Sequence, residues 1–378
     1  MPFYSLIFFS ALLHSVFAGA RVTVSLYAIH LQASPLEIGA VMALFGLLPM
    51  IFSVSTGRLV DGIGARTPML AGAVMVSLGG LVPFVFPSLE MLYAASALVG
   101  TGFMFYGISV QNIVGLIGKP EDRNSNFSVL ALSFSASSFA GPLASGLAID
   151  AFGHRYWFLV LAVVPLATIV AVASNRLGLP QVRRHGRRAA PKRLADLLRP
   201  PRMRVVFIVT ALHAMAWEMF QFVTPIYGVQ IGLSASAIGM VIASFAAATF
   251  AIRVALAFFA QKISAFVLLR AAVFLAATTF ALFPLVVNVV LLAALAFALG
   301  VGLGSGQPMV MALLHDTMPE GRTGEAVGLR TTIINTGQVA MPIFFGALGT
   351  VLGVAPVYWA VAVILAAGGK FGFRHRAS

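Results

Sequence analysis

Long apolar segments with very few charges occupy almost the whole chain, and this pattern constrains the fold more than any other feature. Most segments have about 20 residues, enough for a helix to cross roughly 30 Å of hydrocarbon. Backbone polar groups in a bilayer need partners within the protein, so segments of this length are expected to be helices. We identify about twelve, at residues 5–30, 36–56, 69–87, 90–117, 127–149, 156–175, 205–228, 236–259, 266–287, 289–314, 326–350 and 355–372.

The composition supports a membrane location. Hydrophobic residues make up 60% of the chain and charged residues only 9%, whereas a soluble domain carries about 25% charged residues. The chain has no cysteine, which excludes a disulfide framework and a cysteine-ligated metal site. We therefore predict an all-α membrane protein.

The basic residues indicate how the chain is oriented. Many Lys and Arg residues fall between Arg176 and Arg204, in one stretch between apolar segments. Cytoplasmic loops are enriched in such residues, and basic loops attract anionic lipid head groups. We expect both termini to be cytoplasmic, in a bacterial cytoplasmic (inner) membrane, with membrane lipids as partners. The net charge of +13 is concentrated in this loop, so we do not expect nucleic-acid binding.

The chain repeats itself after 200 residues. Glycine, proline, serine and tyrosine recur at this spacing without gaps over long stretches. We therefore divide the chain into an N-terminal six-helix bundle (1–175), a basic cytoplasmic linker (176–204) and a C-terminal six-helix bundle (205–378). The repeated pairs include Tyr27 and Tyr227, Ser34 and Ser234, Gly39 and Gly239, Gly100 and Gly300, Pro142 and Pro342, Gly146 and Gly346, and Gly153 and Gly353.

A short loop between the second and third segments carries a recognisable pattern. Gly57, Leu59, Asp61, Gly64 and Arg66 occupy the fixed positions of G-x-L-x-D-x-x-G-x-R/K. This loop resembles the signature of the major facilitator superfamily. The resemblance implies two pseudo-symmetric six-helix bundles that rock about a substrate site near the bilayer midplane. It also implies a monomer.

The same resemblance suggests gating roles for this loop. We expect Gly57 to permit close helix packing and Gly64 to form a tight turn. In the superfamily the acid equivalent to Asp61 interacts with the N-terminus of the eleventh helix, here near Glu325, and the helix dipole favours such a contact. The alternative is a solvated loop acid. Arg66 completes the gating set.

The fifth segment contains part of a second pattern. Gly141-Pro142, with Gly146, resembles part of a motif of the superfamily's exporters. Proline permits a bend, and glycine permits close contact between the halves. Ordinary helix packing is the alternative. Ser96 stands where many proton-coupled members have an arginine, so we expect no proton coupling through that position.

Ionisable residues inside apolar segments indicate function because they are costly there. Arg21 lies in the first segment, with His14 seven residues earlier, on a similar face. In the seventh segment Glu218 is near mid-span and close in depth to Arg21. The two form either an ion pair across a cavity or separate sites, with Arg21 for an anionic group and Glu218 for a proton or a cationic group; a purely structural pair is the alternative.

Other residues inside the segments are candidates for the same cavity. Polar or aromatic side chains add hydrogen-bonding and stacking capacity, although some will bond neighbouring helices. Arg253 and Arg330 lie nearer the inner ends of their segments, where we interpret them as gating or snorkelling residues. The further candidates for the substrate and proton site are His213, Trp217, Gln221, Gln111, Asn112, Gln307, Asn335 and Gln338.

These observations predict a transporter rather than an enzyme. The sequence lacks a phosphate-binding G-x-x-x-x-G-K-S/T, H-E-x-x-H or G-x-S-x-G pattern, so we expect neither catalysis nor a cofactor or metal. We favour proton-coupled efflux of a small organic solute by alternating access. The alternative is a proton symporter or uniporter that takes up a small metabolite or organic anion. A membrane enzyme or non-transporting receptor is the remote alternative.

Overall fold

A computed structural model describes residues 2–117, 123–174, 199–259, 265–317 and 323–374. These residues form α-helices and one 3₁₀ turn (Phe283–Leu285), and none of them is in a strand, which confirms the all-α prediction. The helices are α1 (Pro2–His30), α2 (Pro35–Ile63), α3 (Arg66–Val85), α4 (Leu89–Leu116), α5 (Arg123–Ala173), α6 (Pro201–Gln230), α7 (Ala235–Phe259), α8 (Ala265–Leu282), α9 (Val289–Thr317), α10 (Thr323–Leu352) and α11 (Val354–Arg374).

Helix α5 holds two of the predicted segments. Its 51 residues would extend roughly 76 Å if straight, but Gly153 has non-helical angles (φ 79°, ψ 164°). The part after Gly153 runs back along α3, because Arg155 bonds the Phe84 carbonyl and Arg66 bonds the Ala173 carbonyl. Helices α6 to α11 therefore correspond to the seventh to twelfth segments.

The length and apolarity of the helices agree with a membrane location. Within the described ranges, nine helices are long and apolar enough to span a bilayer, with α5 counted once. The number of about twelve crossings remains a prediction. The division at 176–204 also remains one, because residues 175–198 lie outside the described part of the chain.

Backbone geometry repeats with the sequence. Gln32 (φ 62°) and Gly232 (φ 80°) both have left-handed conformations, and both precede the start of a helix. Gly153 (φ 79°) and Gly353 (φ 84°) form a second such pair. Because residues 200 apart adopt the same unusual angles, the two halves share their turns as well as their helices.

The two halves meet where α2 and α7 begin; we call this end of the bundle the capped end. Gly39 of α2 approaches the Pro342 carbonyl of α10, and Gly239 of α7 approaches the Pro142 carbonyl of α5. A Cβ at either glycine would overlap that carbonyl. Gly146 lies against the start of α7 in the same way, as expected for a contact between halves.

Gly141 does not have the role predicted for it. A Cβ at this residue would meet the Ser15 carbonyl and Gly19 of α1, within the same half. The prediction that Gly141 lies between the halves is therefore wrong. The residue one helical turn further along, Gly146, makes that contact instead.

A carboxylate joins the halves at the capped end. Asp150 of α5 accepts hydrogen bonds from the backbone N–H groups of Ala235 (3.1 Å) and Ser236 (2.8 Å), in the first turn of α7. First-turn N–H groups lack partners within their own helix, and the helix dipole favours an anion there. At the corresponding joint the Leu36 N–H donates to Thr350 Oγ1 (3.2 Å), so a neutral hydroxyl replaces the carboxylate.

Replacing Asp150 should loosen the capped end. In Asp150→Ala two α7 N–H groups lose their acceptor, and a charge–dipole term of about 1 kcal/mol corresponds to roughly a fivefold change in the ratio of open to closed forms. The measurement is double electron–electron resonance between spin labels on cysteines at Phe86 and Val287, which are both exposed. The chain has no other cysteine to label.

We expect longer label distances to gain population in Asp150→Ala. Glu90→Ala is the matched control, because Glu90 is an exposed carboxylate in the first turn of α4 at the same end. Identical distance distributions in Asp150→Ala and the control would contradict a role for Asp150 in holding the halves together.

Candidate functional site

A buried ion pair connects the two halves near the middle of the bundle. Arg21 Nη2 of α1 lies 2.7 Å from Glu218 Oε2 of α6, with side chains 16% and 4% exposed. Of the two arrangements left open by the sequence, the structure has the ion pair. A pair this deeply buried loses hydration on both sides, so its geometry has to be good for the two charges to be tolerated.

The ion pair lines a cavity of about 320 Å³. Both halves contribute to its wall, and the lining mixes aromatic, polar and charged side chains, as ligand sites commonly do. The lining residues are His14, Phe17, Ala18, Arg21, Phe45, Pro49, Gly100, Phe103, Met104, Ser138, Pro142, Trp217, Glu218, Gln221 and Gln338.

Two smaller cavities adjoin the first and share lining residues with it. One of about 160 Å³ is lined by Thr210, His213, Ala214, Trp217, Glu218, Val310, Arg330, Ile334 and Gln338. The other, of about 170 Å³, is lined by His14, Phe134, Ser135, Ser138, Trp217, Gln221, Phe245, Ala246, Thr249 and Arg253. Trp217 borders all three, so it stands at their junction.

Stacked rings make part of the cavity wall rigid. Phe17 and Phe103 stack with centroids 4.3 Å apart, and His14 stacks on Phe134 at 4.4 Å. Trp217 meets Phe245 edge to face at 4.8 Å. Such ring pairs add to the energy of burial and fix side-chain orientation. Trp217 thus both packs and presents a face to the cavity.

Two arginines lie closer to this site than the sequence suggested. Arg253 of α7 donates a hydrogen bond to Ser135 Oγ of α5 (3.0 Å) and borders the third cavity. Arg330 of α10 is 8% exposed and borders the second. Their occurrence within apolar segments was the available signal, although their position nearer the inner ends of those segments suggested gating or snorkelling.

Not every predicted candidate reaches these cavities. Gln111 is exposed, and neither Asn112 nor Asn335 lines any of the three. Gln307 is in α9, but its side chain lies outside the described residues. Conversely, the wall includes Ser138, the counterpart of Gln338 in the repeat, which the sequence did not single out.

The signature loop lies at the opposite end from the capped end. Gly64 has φ 88° and follows the last turn of α2, as expected for a tight turn. Arg66 Nη2 donates a hydrogen bond to the Ala173 carbonyl (2.6 Å) at the C-terminus of α5. The helix dipole makes a cation favourable at that end of a helix. Among the described residues, no heavy atom outside the backbone of α2 lies within 4 Å of the position that a Cβ at Gly57 would take, so this part of the structure shows no close packing at Gly57. The Asp61 side chain is outside the described residues.

The site has no arrangement typical of a metal centre. No group of three or more potential His, Cys, Asp or Glu ligands occurs among the described side chains. What the arrangement offers is a set of hydrogen-bond donors, one carboxylate and several ring faces around the cavities. These groups suit reversible binding of a small organic molecule.

The sequence is similar to known transporters over part of its length. A family model described as "Major Facilitator Superfamily" matches residues 4–292 and 206–375. The class C tetracycline resistance protein of Escherichia coli is 28% identical over 137 residues, which is 36% of this chain and 34% of that protein. An uncharacterized transporter of Buchnera aphidicola is 25% identical over 135 residues, 36% of this chain and 34% of that protein. The matched stretch thus spans about a third of these relatives.

Solved structures share the fold along nearly the whole chain. A POT family transporter in complex with a thioalcohol-conjugated peptide has a TM-score of 0.80 at 14% identity, covering 97% of this chain and 94% of that one. A mutant of the nucleoside transporter NupG has a TM-score of 0.81 at 13% identity, covering 99% of both chains. With a family model matched across its length and this fold, the chain belongs to the Major Facilitator Superfamily.

Proposed function

We propose that this protein is a secondary transporter that exports a small organic solute in exchange for protons. The observation that carries the proposal is the Arg21–Glu218 ion pair, which joins the two halves inside the cavity. A carboxylate that gains a proton loses its charge and releases its arginine. Proton binding at this position therefore changes the force that holds the halves together.

Glu218 is the natural proton carrier in this scheme. Among the described residues that line the three cavities it is the only carboxylate. The ion pair with Arg21 persists until solute or a change of conformation separates the two groups. Alternating access follows if the halves then rock about the cavity, as in other transporters built from repeats.

Two observations favour export over uptake. The similarity to tetracycline resistance proteins links the chain to efflux. In addition, the carbonyl of Pro142, in the exporter-like segment, lies in close contact with Gly239 across the halves. A bend at this proline would change the contact between halves directly.

The protein also has a proposed orientation in the membrane. We place both termini and the 176–204 loop in the cytoplasm of a bacterial inner membrane, which puts the capped end outside. The structure then corresponds to a state closed to the outside. Asp61, at the cytoplasmic end, would stabilise the opposite state through the start of α10. The protein works as a monomer, without catalytic activity.

Transport in oriented vesicles tests the function. The probe is the solute that most raises the melting temperature of the purified protein in a screen of metabolites and drugs, with tetracycline included, since ligands of the native state stabilise it. We expect accumulation in inside-out vesicles that depends on an acidic interior. Accumulation only in right-side-out vesicles, with solute and protons entering together, would instead establish the uptake alternative.

Glu218→Gln should uncouple transport from the proton gradient. The amide keeps an oxygen that accepts from Arg21 but cannot exchange a proton, so gradient-driven accumulation should fall by about tenfold or more while solute exchange without a gradient persists. Both rates are measured in proteoliposomes with the same solute.

The control for this variant is Glu90→Gln, which changes an exposed carboxylate at the start of α4. It should behave as the wild type in both assays. Normal dependence on the gradient in Glu218→Gln would exclude Glu218 as the proton carrier.

A further inference from the structure

The second cavity is built entirely from one half of the protein. Its lining residues belong to α6, α9 and α10. His213 of α6 and Arg330 of α10 border this cavity and neither of the other two. Among the described residues, neither group forms an ion pair or a hydrogen bond with the first half, so their presence requires another explanation.

Arg330 is a buried cation with no counter-ion among the side chains that the structure describes. It is 8% exposed, its Nε has no hydrogen-bond partner, and no ion pair reaches it among the described residues. The neighbouring Glu218 is already paired with Arg21. A charge in this position is costly unless an anion joins it.

The corresponding positions in the first half show whether the helices need a histidine and an arginine for packing. The residues that correspond to His213 and Arg330 at the 200-residue shift are Leu13 and Leu130, which are 0% and 4% exposed. The same helix framework therefore packs well with leucine at both positions. Folding does not account for a histidine and an arginine there.

A glycine in α9 leaves room for the His213 ring. A Cβ at Gly306 of α9 would run into the His213 ring. The counterpart of Gly306 is Tyr106, a large side chain that is 1% exposed. A glycine at position 306 therefore makes room for the His213 ring, which borders the cavity of about 160 Å³.

We infer that the second cavity binds the carboxylate of an organic anion, through the guanidinium of Arg330 and a ring N–H of His213. A planar guanidinium matches a carboxylate with two parallel hydrogen bonds. The rest of the solute extends past Trp217 into the larger cavity, which shares that side chain. This inference rests on the proposed transport function and adds the substrate class.

The test uses thermal stability, with and without ligand. Three carboxylates (acetate, benzoate and succinate) are compared with their amides (acetamide, benzamide and succinamide) in buffer that contains no other small organic anion. The variants are Arg330→Gln, Arg330→Lys and His213→Leu/Arg330→Leu, which installs the first-half residues. Arg270→Leu is the matched control, because Arg270 is exposed and its counterpart is also leucine, Leu70.

We expect the double leucine variant to melt at a higher temperature than the wild type without ligand, because an uncompensated buried charge has been removed. At least one carboxylate should stabilise the wild type more than its amide, with apparent affinity about tenfold to a hundredfold greater. That preference should disappear in Arg330→Gln and in the double variant, persist in weaker form in Arg330→Lys, and be unchanged in Arg270→Leu.

Three results would overturn the inference. They are a lower melting temperature for the ligand-free double variant, no carboxylate preference in the wild type, or the same preference in Arg330→Gln. The binding test is independent of transport. A carboxylate preference without movement of any solute in vesicles would uphold this site and refute the proposed function, and transport of solutes regardless of charge would do the reverse.

Discussion

In hydrocarbon no water is available to satisfy a polar group, and the structure follows from that constraint. Every described span is helical, so the backbone is satisfied internally. The polar side chains that remain have to pair with each other or line a cavity. Arg21 and Glu218 do both, because they pair at 2.7 Å and border the largest of the three cavities. The location of the site is thus largely a consequence of where charge can exist in such a protein.

The two halves have kept their packing and changed their chemistry. Gly39 and Gly239 make the same backbone contact with a proline carbonyl across the capped end. At the cavity, by contrast, the repeat is broken: Glu218 corresponds to Ala18, and Arg330 to Leu130. Close contacts between backbones tolerate only glycine, whereas a cavity wall accepts many side chains. The repeated glycines therefore mark the joints, whereas the charged residues of the cavity walls have no charged counterpart in the other half.

Much of the fold was predictable from sequence, because apolar length and internal repetition are strong signals. The depth match between Arg21 and Glu218 followed from the repeat and helix geometry. Other features could not be predicted from the sequence. The contact of Gly141 with α1 rather than the other half depends on helix rotation, which spacing does not fix. The capping of α7 by Asp150 depends on helices from separate halves meeting end to end. The position of the His213 ring depends on Gly306 of another helix, which leaves room for it.

The joints at the capped end differ in kind. On the α5–α7 side an ionised group is bound to two amides, and on the α2–α10 side a single hydroxyl serves. Two joints of unequal strength would not open at the same time. The α2–α10 joint would separate first, while the α5–α7 joint acts as a pivot. The bundle would then open on one side before the other. A solute would then meet an entrance on one flank, between α2 and α10, before the whole mouth is clear.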